Sequence, residues 1–155
     1  MQFTIVAAFL AAAGITAASP IAARQEPVAT PSGDYIWKIS EFYSRKLNGK
    51  DIDSLAFNIK ATNNGTLDFT CEATEGPIVP TQFYQCGENS QIYFSFQDDR
   101  SGLLLRQDVS DDIQYVGTAT LPNYCRAGGA GINDFICNGV NDAYLTLVQY
   151  PGTLE

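Results

Sequence analysis

The chain has 155 residues, with nine basic and seventeen acidic side chains, no histidine and a formal net charge of −8. That length holds one domain around a single core, and so negative a surface repels phosphate backbones and anionic lipid, which excludes nucleic-acid and membrane-surface roles and favours a basic protein partner. Without histidine, serine and cysteine triads lack their usual base and zinc hydrolase motifs lack their ligands.

The first thirteen residues, MQFTIVAAFLAAA, are almost wholly apolar, and Ala18-Ser19-Pro20 follows with the small residues that suit signal peptidase. Although the first residues carry no Lys or Arg, residues 1–18 read as a cleavable signal peptide, and the run is shorter than the ~20 apolar residues a membrane span needs. Residues 19–33 carry prolines at 20, 27 and 31 and too few apolar groups to offset the entropy of ordering them, so they are expected to form a flexible leader. Arg24-Gln25 is a second expected processing point. The folded domain spans 34–155.

From Asp34 onward the hydrophobic period is two. Tyr35, Trp37 and Ile39 alternate with Ile36, Lys38 and Ser40, and Phe42-Tyr43 is expected to close this first strand before a basic, turn-like Ser44 to Lys50. Leu55, Phe57, Ile59 and Ala61 make a second strand, and Leu67, Phe69 and Cys71 a third. Between them Asn63-Asn64-Gly65 predicts a tight hairpin turn with positive φ at Asn-Gly. The same turn spells a glycosylation sequon at Asn64. A proline-containing loop leads to a short strand around Phe83 to Cys86, and Ile92, Phe94 and Phe96 alternate in the next one before the turn Asp98 to Gly102.

The clearest hairpin follows. Leu103, Leu105 and Val109 lie on one side of the alternation, and beyond Ser110-Asp111-Asp112 the pattern resumes with Ile113, Tyr115, Gly117 and Ala119. Pro122 cannot donate a ladder hydrogen bond and stops the second arm. Cys125 comes next, then a glycine-rich turn from Gly128 to Gly131, then Cys137. A last strand around Ala143, Leu145 and Leu147 ends at Pro151. Eight or more short strands with frequent turn signals, and no amphipathic helix after the signal, predict an all-β single domain, an antiparallel barrel or sandwich.

Four cysteines in a secreted chain predict two intramolecular disulfides, and three connectivities remain open by counting. Pairing Cys71 with Cys86 and Cys125 with Cys137 closes two short local loops, worth about 3 kcal/mol each in the chain-entropy account. A metal site lacks both the short Cys spacing and histidine. The acidic pairs Asp98-Asp99 and Asp111-Asp112 could in principle serve glycoside hydrolysis or hold calcium, but both fall in turns, where aspartate is favoured for bonding its own backbone. No catalytic residue, metal or cofactor is therefore assigned.

The blocks WKISEFYSRK at 37–46, SLAFNIKATNNGTLDFTC at 54–71, CGENS at 86–90, DDRSGLLL at 98–105 and VSDDIQYVGTATLPNYCRAGG at 109–129 closely resemble the secreted fungal family typified by the Alternaria major allergen, the AA1-like domain. Within that family the chain looks most like a secreted fungal elicitor of plant defence. The resemblance implies an antiparallel β-barrel, the disulfides Cys71–Cys86 and Cys125–Cys137, and a protein that is secreted or held at the fungal cell wall. It also implies a non-enzymatic effector that binds host plant defence proteins of the thaumatin-like pathogenesis-related class, triggers immune responses or cell death, and is allergen-like in humans. Carriage of a small phenolic ligand in the barrel is the alternative. Family members joined through a leader cysteine form covalent dimers, whereas Val28-Ala29-Thr30-Pro31 offers none here, so a monomer or weak non-covalent dimer is expected. Lys38, Arg45, Lys46 and Lys50 form the one basic cluster, and with the loop Ser44 to Asp53 they are the expected partner-binding surface.

Overall fold

The computed structural model describes residues 36–62 and 65–150. The signal, the leader with its processing point and the Asn64 sequon lie outside the described residues. Among the described residues there are eleven strands: β1 (Ile36–Lys46), β2 (Ser54–Ala61), β3 (Asp68–Ala73), β4 (Tyr84–Gln85), β5 (Ile92–Gln97), β6 (Gly102–Ser110), β7 (Ile113–Thr120), β8 (Asn123–Ala127), β9 (Phe135–Gly139), β10 (Ala143–Thr146) and β11 (Val148–Tyr150). The 3-10 turn Asp98–Arg100 joins β5 to β6.

The strands form two antiparallel sheets. One runs β3-β2-β1-β9-β8 with β10 also paired to β1, and the other runs β11-β7-β6-β5-β4. They pack face to face as a sandwich; the closed barrel implied by the family resemblance does not form. At one side the chain itself carries across, through Leu121 between β7 and β8 and through Leu147 between β10 and β11, both buried. At the other side no ladder joins β3 to β4, and the disulfide Cys71–Cys86 spans the gap instead.

The core is the shared inner face. Trp37, Ile39, Leu55, Phe57 and Ile59 from the first sheet meet Ile92, Phe94, Phe96, Leu103 and Leu105 from the second. Phe57 sets its edge against Phe94 with ring centroids 5.1 Å apart, and Phe42 meets Phe96 at 5.3 Å. Fully burying side chains of this size contributes roughly 1.5–3 kcal/mol each. The interior is thereby filled.

Strand β1 departs from its expected end. It continues through Ser44, Arg45 and Lys46, because a bulge at Glu41, which takes φ 55°, inserts a residue and changes the phase of the alternation. Trp37 and Ile39 point inward before the bulge, and Phe42 and Ser44 point inward after it. The bulge also marks a change of neighbour: Ile36–Ile39 pair with β10, whereas Tyr43–Lys46 pair with β9.

The tight turn expected at Asn63-Asn64-Gly65 lies in part outside the described residues; beside it the β2–β3 ladder is extended by the Ala61 N–H donating to the Leu67 carbonyl at 2.9 Å. Two strands, β8 and β9, occupy a stretch expected to be a stapled loop, since β8 carries too few apolar residues to display a period and those of β9, Phe135-Ile136-Cys137, are consecutive.

Candidate functional site

The expected basic cluster is divided by the pleat of β1. Arg45 and Lys46 are adjacent and therefore face opposite sides of the sheet. Arg45 lies on the outer face, where its Nε and Nη2 donate to the two carboxylate oxygens of Asp134, each at 3.0 Å. Lys46 turns to the end of the sandwich and binds Asp98 of the 3-10 turn. Lys38, on the outer face before the bulge, pairs with Asp142 at 2.6 Å. Lys50 is exposed in the loop after β1. Three of the four expected contact residues thus hold the protein's own carboxylates.

Asp134 was not signalled by sequence pattern, yet it is 1% exposed and organises the glycine-rich turn. Its carboxylate accepts from the Ala130 N–H at 2.9 Å, while its carbonyl accepts from the Gly128 N–H at 2.8 Å. Gly128 has no Cβ because one would run into that carboxylate. The bidentate hydrogen bonds from Arg45, aided by the Ala130 N–H, hold Asp134 below the usual carboxylate range, and the same pairing raises Arg45. Hydrogen bonding to Asp142 likewise raises Lys38. On the same outer face Lys60 hydrogen bonds to Asp68 and lowers it.

The loop from Leu47 to Asp53 is ordered by its own polar groups. The Leu47 N–H donates to Asp53 at 2.6 Å, and Asn48 accepts from the Lys50 and Asp51 N–H groups at 2.9 Å. Gly49 takes φ 77° beside Asn133 and Phe135, a conformation L side chains rarely adopt. Lys50 is presented on a braced loop.

Both expected disulfides are present, and they differ in setting. Cys71 and Cys86 are fully buried and tie the two sheets together. Cys125 and Cys137 are direct cross-strand partners within one sheet, with Cys137 buried and Cys125 exposed. Such bonds fit an oxidising compartment.

Among the depressions of the described surface are two on opposite sheets. The outer face of the second sheet bears a groove of about 610 Å³, floored by Ser95, Leu104 and Thr118 and walled by Thr81 and Phe83. Beside it Arg106 lies between the rings of Phe83 and Tyr93, 4.5 and 4.7 Å from their centroids. The other, about 290 Å³, opens at the β1 bulge among Glu41, Asn138, Asn141 and Asp142. Among the described residues no three His, Cys, Asp or Glu side chains gather as a metal site would require, and no helix is long and apolar enough to cross a membrane. Asp98-Asp99 open the 3-10 turn and Asp111-Asp112 form the β6–β7 turn.

The sequence and fold match known proteins throughout. A family model described as Alternaria alternata allergen 1 matches residues 39–137. The major allergen Alt a 1 of Alternaria alternata is 61% identical over 154 residues, covering 97% of this chain and 98% of that protein. Allergen Ste b 1 of Stemphylium botryosum is 60% identical over 138 residues, covering 86% and 100%. The crystal structure of Alt a 1 superposes with a TM-score of 0.74 at 66% identity, covering 79% of this chain and 94% of that one. These relatives carry the names of allergens, not of enzymes.

Proposed function

The chain belongs to the family described as Alternaria alternata allergen 1, and from that membership we propose that it is a secreted fungal effector that works by binding a host plant protein and is sensed as an elicitor. The expected host class is the thaumatin-like pathogenesis-related proteins. One observation carries the reading: two sheets with a filled core are clasped covalently at their open side by Cys71–Cys86. A surface held so rigidly loses little conformational entropy when it docks. Catalytic turnover is not part of the proposal, since histidine is absent and the two acidic pairs serve turns.

The test is direct binding of the purified mature protein to a thaumatin-like protein from a host leaf, measured by calorimetry, beside leaf infiltration. Saturable binding with defence induction supports the reading, and defence induction without any bound host protein of this class removes the partner assignment.

A second reading, carriage of a small phenolic ligand, loses the barrel interior to Trp37, Phe57, Phe94 and Phe96. The groove beside Phe83 and Leu104 gives it a different place, with apolar walls and the Ser95 and Thr118 hydroxyls at the floor.

A further inference from the structure

We propose that the open edge of β8 is a docking edge that accepts an extended, carboxylate-bearing segment of a partner protein as an added strand. The inference deepens the partner-binding reading and rests on it.

The hydrogen-bond register supplies the first reason. At one end of the β8–β9 ladder the Gly128 N–H donates to the Asp134 carbonyl at 2.8 Å, and at the other the Val140 N–H donates to the Pro122 carbonyl at 2.9 Å. Antiparallel pairs alternate between hydrogen-bonded and open. Counting inward from both ends, Tyr124 and Arg126 are the residues bonded to β9. Asn123, Cys125 and Ala127 are then in open pairs and turn their N–H and C=O groups away from the sheet. The placement of Cys125 opposite Cys137, with Cα atoms 4.0 Å apart, agrees, because open pairs bring side chains closest. The outward row is thus three residues long and held in register by a covalent bond, so an added strand meets a preformed template.

Comparison of the five sheet edges supplies the second. β4 has two residues, β11 three and β10, paired only to β1, four, each shorter than β8 and too short to present a row of three outward residues. β3 has six, but it carries Asp68 and Glu72 and is tied to the other sheet through Cys71. Short length and charge are how proteins guard an edge. β8 has five residues and a single charge, Arg126.

That charge specifies the occupant. Lys38, Arg45, Lys46, Lys60 and Arg106 each pair with a carboxylate. Arg126 is exposed and forms no ion pair among the described residues, and Tyr124, two residues along on the same face, is 56% exposed. An incoming strand with a carboxylate opposite Arg126 and an apolar residue beside Tyr124 answers both. A second copy does not. Antiparallel pairing about Cys125 sets Tyr124 against Arg126, supplies neither arginine with a carboxylate and brings together two chains of charge −8.

The test uses the full secreted protein and a short acetylated, amidated peptide of repeating Thr-Val-Thr-Glu, which alternates valine with glutamate along one face, with a Thr-Val-Thr-Lys peptide as its counterpart. Binding followed by NMR shifts at β8 is expected for the glutamate peptide, weaker by about tenfold or more for the lysine peptide, and reversed in preference by Arg126→Glu. Ala127→Pro removes an outward N–H without touching the ladder to β9 and is expected to weaken binding to a similar degree. N-methyl groups on one alternate set of peptide amides should abolish binding while the other set leaves it intact; this needs no protein variant and decides the matter if Ala127→Pro fails to fold. Equal binding of the two N-methylated peptides, no binding of either charged peptide, or self-association lost on Ala127→Pro overturns the proposal. A host protein whose affinity is untouched by Ala127→Pro removes the edge and leaves the partner-binding reading standing.

Discussion

Arg45 and Asp134 stand 89 residues apart in sequence and are joined by two parallel hydrogen bonds, a half-buried guanidinium reaching a buried carboxylate. The pair anchors the glycine-rich turn to the longest strand of the protein. Breaking one partner leaves the other unsatisfied, which costs more than the bond itself contributes. Asp134→Ala and Arg45→Ala should each lower the melting temperature by several degrees, and the double variant should lose clearly less than their sum. Strict additivity in that thermal cycle contradicts the pairing.

The same pair fixes a pH dependence. Asp134 is held below its ordinary value by the hydrogen bonds from Arg45, so the stability it contributes is fully present above the unfolded-state aspartate pKa, near 3.9, and is lost as pH falls through the lower folded-state value. The stability difference between the native protein and Asp134→Asn should be constant from neutral pH down to about 4 and shrink below it. The raised Lys38 and Arg45 act at the opposite extreme, where stability is lost as pH climbs through their folded-state values, and leave this window flat. A difference that grows on acidification refutes the assignment.

At Gly117 an added Cβ would lie 2.6 Å from Leu145 Cδ1 and 2.9 Å from the Thr146 carbonyl. This is where the chain crosses from one sheet to the other, and the crossing leaves no room for a methyl group. Gly117→Ala should destabilise by about 1–3 kcal/mol in denaturant titration, as overpacking does. An unchanged midpoint would mean the crossing relaxes freely.

The two disulfides should separate under a mild dithiol. Cys125 is exposed and Cys71 and Cys86 are not, so mass spectrometry after alkylation should find Cys125 and Cys137 labelled first. Replacing Cys71 and Cys86 with alanine should cost about 2–5 kcal/mol, since the bond closes the open side of the sandwich. Labelling in the reverse order would contradict the burial described.

Much of the fold was legible because alternation is loud where one face is buried. Leu103 and Leu105, or Leu55, Phe57 and Ile59, announce their strands unaided. β8 stayed silent because a sheet edge buries little: Asn123 to Ala127 holds no apolar run, and its register comes from Cys125–Cys137 and from end bonds at Gly128 and Val140, while the apolar residues of β9, Phe135-Ile136-Cys137, are consecutive and show no alternation. The basic cluster was visible as composition, but charge in sequence does not reveal its partner. Arg45, Lys46 and Lys38 turned out to be spoken for by Asp134, Asp98 and Asp142, residues distant in the chain. The phase change at Glu41 decided which of them faced where, and nothing in Ser40-Glu41-Phe42 advertises a bulge.

That distribution sharpens the test of the loop. Reversing Arg45 and Lys46 breaks internal ion pairs, so a loss of elicitor activity in that variant should track its loss of melting temperature. Lys50→Glu changes surface charge alone. If the loop contacts the host, Lys50→Glu should weaken binding by roughly fivefold, about 1 kcal/mol, at unchanged thermal stability; full affinity in that variant removes the loop from the contact surface.

The measurement that bears most directly on the whole is leaf infiltration with native protein beside the same protein reduced and alkylated at all four cysteines. A folded, covalently clasped surface as the active species predicts that defence induction is lost with the fold. Equal induction by the unfolded, alkylated chain would show that a linear segment is what the plant detects, and would contradict the account.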